Sequence, residues 1–310
     1  MINRLRQIKT NKVHWIHILK PSENEIQFLR DHFEFHPLDL EDCLNTAQRP
    51  KVDEYEKYIF LILLFPFYVR TERSIFAAEI DFFIGANYLI TVSDGNNELT
   101  DQFFDECLKS EVLRDRYLSG TPTHLLYEIV NRLQSSMLPM LDHISQDNET
   151  IEKQMFAGAE KRMVRDILLI KRNIVNFRRI VNAHKSTIKK LMSIRTPGLF
   201  ALSSDLNVYF QNIVERSRDI WEILEIHSET INAFHAANDS LISFKLNEAM
   251  RVLTVLSVSI FAATLIATIL GMNTASNPIV RNPYGFWIVV FIIGLVMVTL
   301  HRIFKRKDWL

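Results

Sequence analysis

The feature that most constrains this chain is a run without glycine or proline, residues 199–270, which ends at Gly271. Glycine and proline are the residues that most often interrupt a helix, so their absence predicts one very long helix. The last third of the run is almost purely apolar. We therefore expect a helix that begins polar, becomes a membrane span and ends at Gly271.

Two segments are long and apolar enough to cross a bilayer, which takes about 20 residues. The first covers about residues 252–271 and the second residues 284–304. Lys245 and Arg251 precede the first span, whereas the loop between the spans carries only Arg281. Because positive side chains concentrate on the cytoplasmic side, we expect a plasma-membrane protein with both termini in the cytoplasm.

Composition predicts a cytosolic body attached to a small membrane part. The chain has 310 residues with 36 basic and 36 acidic side chains, whereas a nucleic-acid binder usually has a basic excess. Between Arg251 and Lys307 there is no acidic residue at all. Cys43 and Cys107 stand in no CxxC or Cys/His spacing, so we expect reduced, structural thiols.

The body before the membrane divides into two expected parts. Residues 1–120 predict an α/β domain with a mixed or antiparallel-containing sheet, because β-branched and aromatic runs alternate with short helical runs. The strand-like runs are VHWIHIL, YIFLILLFPFY, SIFAAEIDFFI and NYLITVS, and the helical ones are EIQFLRDHF and HPLDLEDCLN. Residues 121–198 predict two long amphipathic helices, over 125–156 and 162–192, hinged near Gly158.

The third and longest helix, residues 199–271, carries a seven-residue repeat before the membrane. Its positions are Leu206, Ile213, Ile220, His227, Phe234 and Leu241, interleaved with Phe210, Ser217, Leu224, Ile231 and Asn238. Such a mixed seam indicates helix–helix association. Two partners fit it equally: the preceding helices of the same chain, or other copies of this helix.

Amide and hydroxyl side chains fall on one stripe of the first span. The stripe consists of Asn247, Met250, Leu253 or Thr254, Ser257, Phe261, Thr264 and Thr268. Hydroxyls in membrane helices often bond only their own backbone, but this stripe leads to the carboxamide of Asn273 and holds no charged side chain. We interpret it as the lining of an ion pathway, which several copies would have to enclose together.

Five segments of the sequence together resemble those of one family. Gly271-Met272-Asn273 follows the first span, a second span comes close behind it, and the chain ends in KRKDWL. The segments FHPLDLED (35–42), RPKVDEY (49–55) and DFFIGANYLIT (81–91) lie in the body. With this topology the chain resembles the CorA family of divalent-cation (magnesium and cobalt) transporters, whose superfamily includes the zinc-transporting ZntB branch.

The resemblance implies a fold and an assembly. It implies an α+β cytosolic domain, an α/β/α sheet domain plus long helices, that continues into a two-span helical membrane domain in a funnel-shaped homopentamer. The first span would line the pore and the second would face lipid. Residues 272–283 would form the external loop and residues 305–310 a basic cytosolic tail.

The resemblance also implies roles for single residues. Asn273 would meet the hydrated cation in an outer ring beside Met272, and Gly271 would contribute its backbone carbonyl. Asn247 would lie at the inner mouth, and Met250 and Leu253 would form an apolar gate. Thr264 matches a pore threonine. The expected inner basic ring consists of Arg302, Lys305, Arg306 and Lys307.

The ion is Mg²⁺ by this resemblance, with Co²⁺ and Ni²⁺ as further cargo and no cofactor beyond the cation. Members of the magnesium type usually place an acid just after the triplet, but the loop here reads TASNPIVRNPY. Ala262 and Leu270 replace a proline and an aromatic residue, and Asn212 stands where an acid helps to hold inhibitory magnesium between subunits. Ion identity and regulation therefore stay open, with a zinc transporter of the ZntB type, proton-coupled or not, as the alternative.

Other functions have weaker support. No HExxH, P-loop or GxGxxG pattern occurs in the sequence, so we do not expect an enzyme. A membrane-anchored scaffold without transport is the remaining alternative. Asp39, Glu41 and Asp42 are expected to form a solvated helix face. A second acidic set either attracts cations or pairs with neighbouring helices, and it consists of Glu215, Asp219, Glu222, Glu225 and Glu229.

Overall fold

The computed structural model describes residues 4–45, 49–156, 160–194, 204–272, 282–307 and 309. The chain divides into two compact units, Met1–His235 and Ala236–Leu310. Gly158, the turn at 195–198, Asn273 and Arg281 lie outside the described residues.

A six-stranded mixed sheet forms the centre of the first unit. Its strands are β1 (Leu5–Lys9), β2 (His14–Leu19), β3 (Lys51–Glu54), β4 (Ile59–Val69), β5 (Ser74–Ile84) and β6 (Tyr88–Ser93). They lie in the order β1-β2-β6-β5-β4-β3. β2 and β6 are parallel and the other neighbours are antiparallel, which confirms the expected mixed sheet.

Helices cover both faces of this sheet. On one face, α1 (Glu23–His32) and α2 (Pro37–Asp42) contribute Leu29 and Leu40 to a core with Phe60 and Phe83. The helices that follow β6 are α3 (Leu99–Lys109), α4 (Glu111–Leu118), α5 (Pro122–Ser135), α6 (Leu138–Phe156) and α7 (Glu160–Ser193). The core on the other face joins sheet residues to residues of these helices. Strands buried on both faces read as continuous apolar runs, which explains the IFLILLF of β4.

Four elements were absent from the expectation. β1 and β3 are the two edge strands, with the sequences LRQIK and KVDE. These strands are short and largely polar, so a search for apolar runs misses them. The helices α3 and α4, between the sheet and residue 121, were not predicted either.

The expected single helix over residues 125–156 is wrong, because α5 ends at Ser135 and α6 begins at Leu138. Pro139 accounts for the break. Proline lacks a backbone N–H, and its ring would collide with the carbonyl four residues earlier, that of Ser135. At the break, Ser136 Oγ donates a hydrogen bond to Leu133 O at 2.7 Å.

The long helix α8 (Ser204–Gly271) begins in the first unit and ends in the second. Five seam residues belong to the same core as α5, α6 and α7: Phe210, Ile213, Ile220, Leu224 and Ile231. Gln134 Nε2 of α5 donates hydrogen bonds to Ile213 O at 3.0 Å and to Ser217 Oγ at 2.6 Å. This part of the seam therefore packs against preceding helices of the same chain, the first of the two partners considered.

The second unit contains the end of α8 and the helix α9 (Gly285–Arg306). Both helices are long and apolar enough to cross a membrane, and their apolar windows are almost entirely exposed. The buried core helix of a soluble protein would pass the same test of length and composition but would be covered, so exposure favours two membrane spans.

Candidate ion pathway

On each apolar helix, α8 and α9, one stripe of residues is buried or half-buried. On α8 the stripe is Val255, Ser259, Ala262, Ala263, Ile266 and Leu270, and on α9 it is Val289, Ile292, Ile293, Val296, Leu300 and Phe304. Both stripes repeat every three or four residues, as one face of a helix does. Their match indicates that α8 and α9 pack along these faces.

The predicted pathway residues lie on the opposite face of α8. At 3.6 residues per turn, the stripe from Asn247 to Thr268 is centred about half a turn away from the covered one. All its members are exposed, including Met250 at 57% and Leu253 at 65%. Thr254 is exposed as well, so the choice between Leu253 and Thr254 stays open. The face that α9 leaves free is thus the face that carries the amide and hydroxyl groups.

Three threonines of this stripe donate to their own helix. Thr254 Oγ1, Thr264 Oγ1 and Thr268 Oγ1 lie 2.7, 2.8 and 2.7 Å from the carbonyl oxygens four residues earlier. A hydroxyl whose proton is used in this way presents only its lone pairs to its surroundings. These threonines can therefore accept hydrogen bonds from water on a cation.

The helix ends at the predicted triplet. Gly271 is the last residue of α8, and Met272 N donates to Ile269 O at 3.4 Å. A Cβ added at Gly271 would meet nothing within 4 Å, so no neighbour in the single chain demands glycine here. Met272 is exposed, and Asn273, the main predicted ligand, lies outside the described residues.

The carboxyl end of α9 is basic and solvent-accessible. Arg302, Lys305, Arg306 and Lys307 are all exposed. Trp309 N donates to Phe304 O at 3.0 Å, and the two rings stack with centroids 5.9 Å apart. This contact holds Trp309 against the last turn of α9. The four basic side chains stay exposed on the same turn.

The body segments at 35–42 and 49–55 meet around Asp39. Tyr58 Oη donates to Asp39 Oδ2 at 2.7 Å, and Lys51 Nζ lies 2.7 Å from Asp42 Oδ2 and 2.8 Å from Asp53 Oδ2. Burial raises the pKa of Asp39, although the Tyr58 hydrogen bond opposes the shift. The expected solvated face is wrong for Asp39, which is buried, because its carboxylate joins α2 to the sheet.

The second acidic set belongs partly to ion pairs. Arg178 of α7 pairs with Glu225, and Arg218 Nε lies 2.7 Å from Glu222 Oε1 on α8 itself. Gln211 Nε2 donates to Glu215 Oε1 at 3.3 Å. Pairing with a neighbouring helix, one of the two alternatives, therefore accounts for Glu225, whereas Glu222 pairs within α8.

One group between the sheet and α3 has the order of a catalytic triad, which sequence reasoning missed. Thr91 Oγ1 lies 2.7 Å from His17 Nδ1, and His17 Nε2 lies 3.0 Å from Asp101 Oδ1. Thr91 and His17 are fully buried, and Trp15 Nε1 donates to the same hydroxyl at 3.1 Å. A nucleophile needs access to substrate, so this group serves the core of the fold.

Both cysteines are free and buried, as expected. Within the described ranges, no three His, Cys, Asp or Glu side chains form a group that could hold a metal ion directly. The stripe of α8 itself consists of amide, hydroxyl and apolar side chains.

Comparisons with known proteins agree with this architecture. The cobalt/magnesium transport protein CorA of Thermotoga maritima is 26% identical over 302 residues, covering 96% of this chain and 83% of that protein. The structure of the CorA magnesium transporter from Methanocaldococcus jannaschii superposes with a TM-score of 0.84 at 20% identity, over 98% of this chain and 93% of that one. The ZntB cytoplasmic domain from Vibrio parahaemolyticus gives 0.61 at 13% identity, over 76% and 89%.

The family profile covers nearly the whole chain. The profile described as "CorA-like Mg2+ transporter protein" matches residues 10–306, which include strands β2 to β6, the long helix and both apolar spans. This protein is a membrane protein that belongs to the CorA-like Mg²⁺ transporter family.

Proposed function

We propose that this protein transports hydrated divalent cations across the plasma membrane, with Mg²⁺ as the first candidate and Co²⁺ and Ni²⁺ as further cargo. The observation that carries the proposal is the exposed, acid-free stripe of α8 on the face opposite its covered stripe. Family membership supports the same activity, since the Thermotoga relative is a cobalt/magnesium transport protein by name.

The transport unit is a homopentamer in which each subunit contributes one α8 to the pore wall. A single helix cannot enclose a pathway, so copies around an axis are required, and the family resemblance implies five. The apolar, exposed outer face of α9 suits contact with lipid, and the free face of α8 suits the axis. Positive side chains at the end of α9 favour both termini in the cytoplasm.

The outer ring of Asn273 side chains recognises the ion with its water shell. Magnesium releases its waters reluctantly, so neutral carboxamide oxygens can accept hydrogen bonds from those waters without removing them. A ring of carboxylates would hold the ion too strongly for conduction. Gly271 would add its backbone carbonyl, and Thr264 and Thr268 would offer lone pairs further along α8.

The gate lies toward the other end of the stripe. Met250 and Leu253 project large apolar side chains from the free face, and a ring of such groups can exclude water and so block ions. Asn247 would form the inner mouth just beyond them. Arg302, Lys305, Arg306 and Lys307 would surround the cytoplasmic end of the pore.

A zinc transporter of the ZntB type is the second candidate. The loop after the triplet has no acid and carries Arg281, which departs from the magnesium-type pattern, and the body shares its fold with the ZntB cytoplasmic domain. Fold likeness at 13% identity does not distinguish the cargo.

Flux into proteoliposomes tests the proposal. Purified full-length protein is reconstituted, and influx of Mg²⁺, Zn²⁺, Co²⁺ and Ni²⁺ is recorded with and without a pH gradient. We expect Mg²⁺ influx that does not require a pH gradient. Zinc flux driven by protons would support the second candidate, and protein that folds and assembles but moves none of the four ions would favour the scaffold.

A further inference from the structure

A cavity of about 190 Å³ lies at the end of the only parallel strand pair that the described residues form. Val92 and Ser93 line it from the carboxyl end of β6, and Lys20 and Pro21 line it just after β2. Ligands of α/β sheets commonly bind outside the carboxyl ends of parallel strands. The cavity can hold several water molecules, because one water needs a cavity volume on the order of only 10–15 Å³.

Three carboxyl groups line this cavity. Glu79 and Asp81 lie two residues apart on β5, so both project from the same face of the sheet, and Asp94 follows β6. Asp94 is already held, because its Oδ2 accepts from Glu79 N at 3.1 Å and its Oδ1 from Asn96 N at 2.9 Å. Carboxyl oxygens are thus concentrated in one part of the wall.

Asp81 is the unusual member of this wall. Its residue exposure is 3%, and its Oδ1 has no hydrogen-bond partner. A buried carboxyl oxygen without a partner costs stability unless something compensates it. A cation in the cavity would supply that compensation.

The donors indicate the class of cation. The lining contains the carboxyl groups of Glu79, Asp81 and Asp94 and the hydroxyl of Ser93 but a single thiol, that of Cys43, so the wall offers mainly oxygen. Oxygen donors suit hard cations such as Mg²⁺. Since no three described acids converge closely enough for direct coordination, the ion would keep most of its waters and be held through them.

We propose that this cavity binds a hydrated Mg²⁺-class cation through Glu79, Asp81 and Asp94, at a site separate from the pore stripe of α8. The site ties β5 and β6 to the end of α2 and to the segment between β2 and α1. It lies wholly inside the first unit, so its occupancy does not depend on whether the protein transports ions.

Lys20 competes for the same place. It has a left-handed backbone (φ 51°), and a Cβ added at Gly95 would lie 2.4 Å from Lys20 Cε, so the glycine leaves room for this side chain. The aliphatic part of the Lys20 side chain therefore lies at the cavity. Its positive ammonium group would repel a metal cation there. Removing this charge should strengthen cation binding.

Hydrogen exchange of the full-length protein in detergent tests the proposal. Exchange is followed by mass spectrometry with and without Mg²⁺ in peptides covering residues 18–22, 42–45, 78–82 and 91–96. At a Mg²⁺ concentration ten times the dissociation constant, mass action predicts about tenfold slower exchange in these peptides. Asp81→Asn should abolish this protection, whereas Lys20→Met should produce it at a several-fold lower Mg²⁺ concentration.

The matched control is Asp31→Asn, which removes the same charge from an exposed position on α1. Asparagine is close in shape to the carboxyl group of Asp81, and unchanged exchange without Mg²⁺ verifies that the variant folds. The proposal is overturned if the four wild-type peptides show no Mg²⁺-dependent protection, if Asp81→Asn retains it, or if the control loses it to the same extent.

Discussion

In the sheet domain, large apolar side chains such as Trp15, Phe60 and Phe83 are fully buried, whereas Phe261 and Phe291 of the membrane helices are about 70% exposed. The sheet domain closes its core on both faces with helices of the same chain. The membrane helices cover one stripe each and leave the rest of their apolar surface to lipid or to other copies. The core of the sheet domain is thus complete in one chain, whereas the proposed pathway on α8 would be complete only in an assembly.

The largest expected effect is the loss of transport in Asn273→Ala. A hydrogen bond to a charged group is worth about 1.5–3 kcal/mol, and the substitution removes one such ligand from every subunit of the ring. Influx into proteoliposomes should therefore fall to the level of protein-free liposomes. Asn277→Ala, which deletes a carboxamide of the same loop outside the triplet, should retain flux, and equal losses in the two variants would contradict a specific role for Asn273.

The assembly itself can be measured separately. Mass determination of the detergent-solubilised protein should give five copies, because the free face of α8 needs partners around an axis and the family resemblance implies five. A stable monomer or dimer with transport activity would contradict the proposed assembly, since it would mean that the exposed stripe of α8 is not a pore wall.

The second largest effect is expected for Phe83→Ala in the sheet core. Phe83 is fully buried and stacks on Phe35 at 4.2 Å between centroids, so truncation should cost about 3–5 kcal/mol of unfolding free energy. Phe291→Ala on α9, where the side chain is 71% exposed, should leave this unit unaffected. The buried thiols of Cys43 and Cys107 report the difference, because alkylation of the full-length chain on heating requires the sheet domain to open.

Periodicity made the helices and the central strands predictable, but local breaks and edges were not. Apolar runs identify β2, β4, β5 and β6 because helices bury both their faces, whereas the polar edge strands β1 and β3 depend on pairing with distant partners. The break before Pro139 was overlooked because the apolar period continues across it.

The candidate site was predictable to a different extent. The stripe on α8 follows from helical spacing, and its exposure agrees with an unfilled face. The burial of Asp39 and the cavity around Asp81 were not predictable, because they arise from contacts between segments far apart in sequence. The acidic residues of α2 do not indicate by themselves that Lys51, Tyr55 and Tyr58 will cover Asp39.

A smaller effect is expected for Leu253→Ser at the gate. A hydroxymethyl group in place of an isobutyl group should wet the apolar constriction and raise leak flux several-fold. Leu256→Ser is the matched control, because Leu256 is also exposed but lies off the stripe. If the two variants leak equally, the free face of α8 is not the pore wall. If Leu253→Ser is silent in an intact assembly and Thr254→Leu alters flux, Thr254 is the residue that faces the axis.

The smallest effect is expected for Arg281→Glu in the loop between the spans. Five positive charges beside an acid-free loop should repel cations at the outer mouth, so the substitution should raise divalent influx on the order of threefold at low ionic strength. Salt should reduce this gain, because the Debye length shrinks to about 8 Å at physiological strength. Arg281→Gln should give an intermediate gain if charge is the cause, and Asn273→Ala should stay inactive at every salt concentration.

If Arg281→Glu leaves low-salt flux unchanged, Arg281 does not act on the outer mouth. The departure of this loop from the magnesium type then gives no reason to favour zinc, and Mg²⁺ gains as the cargo.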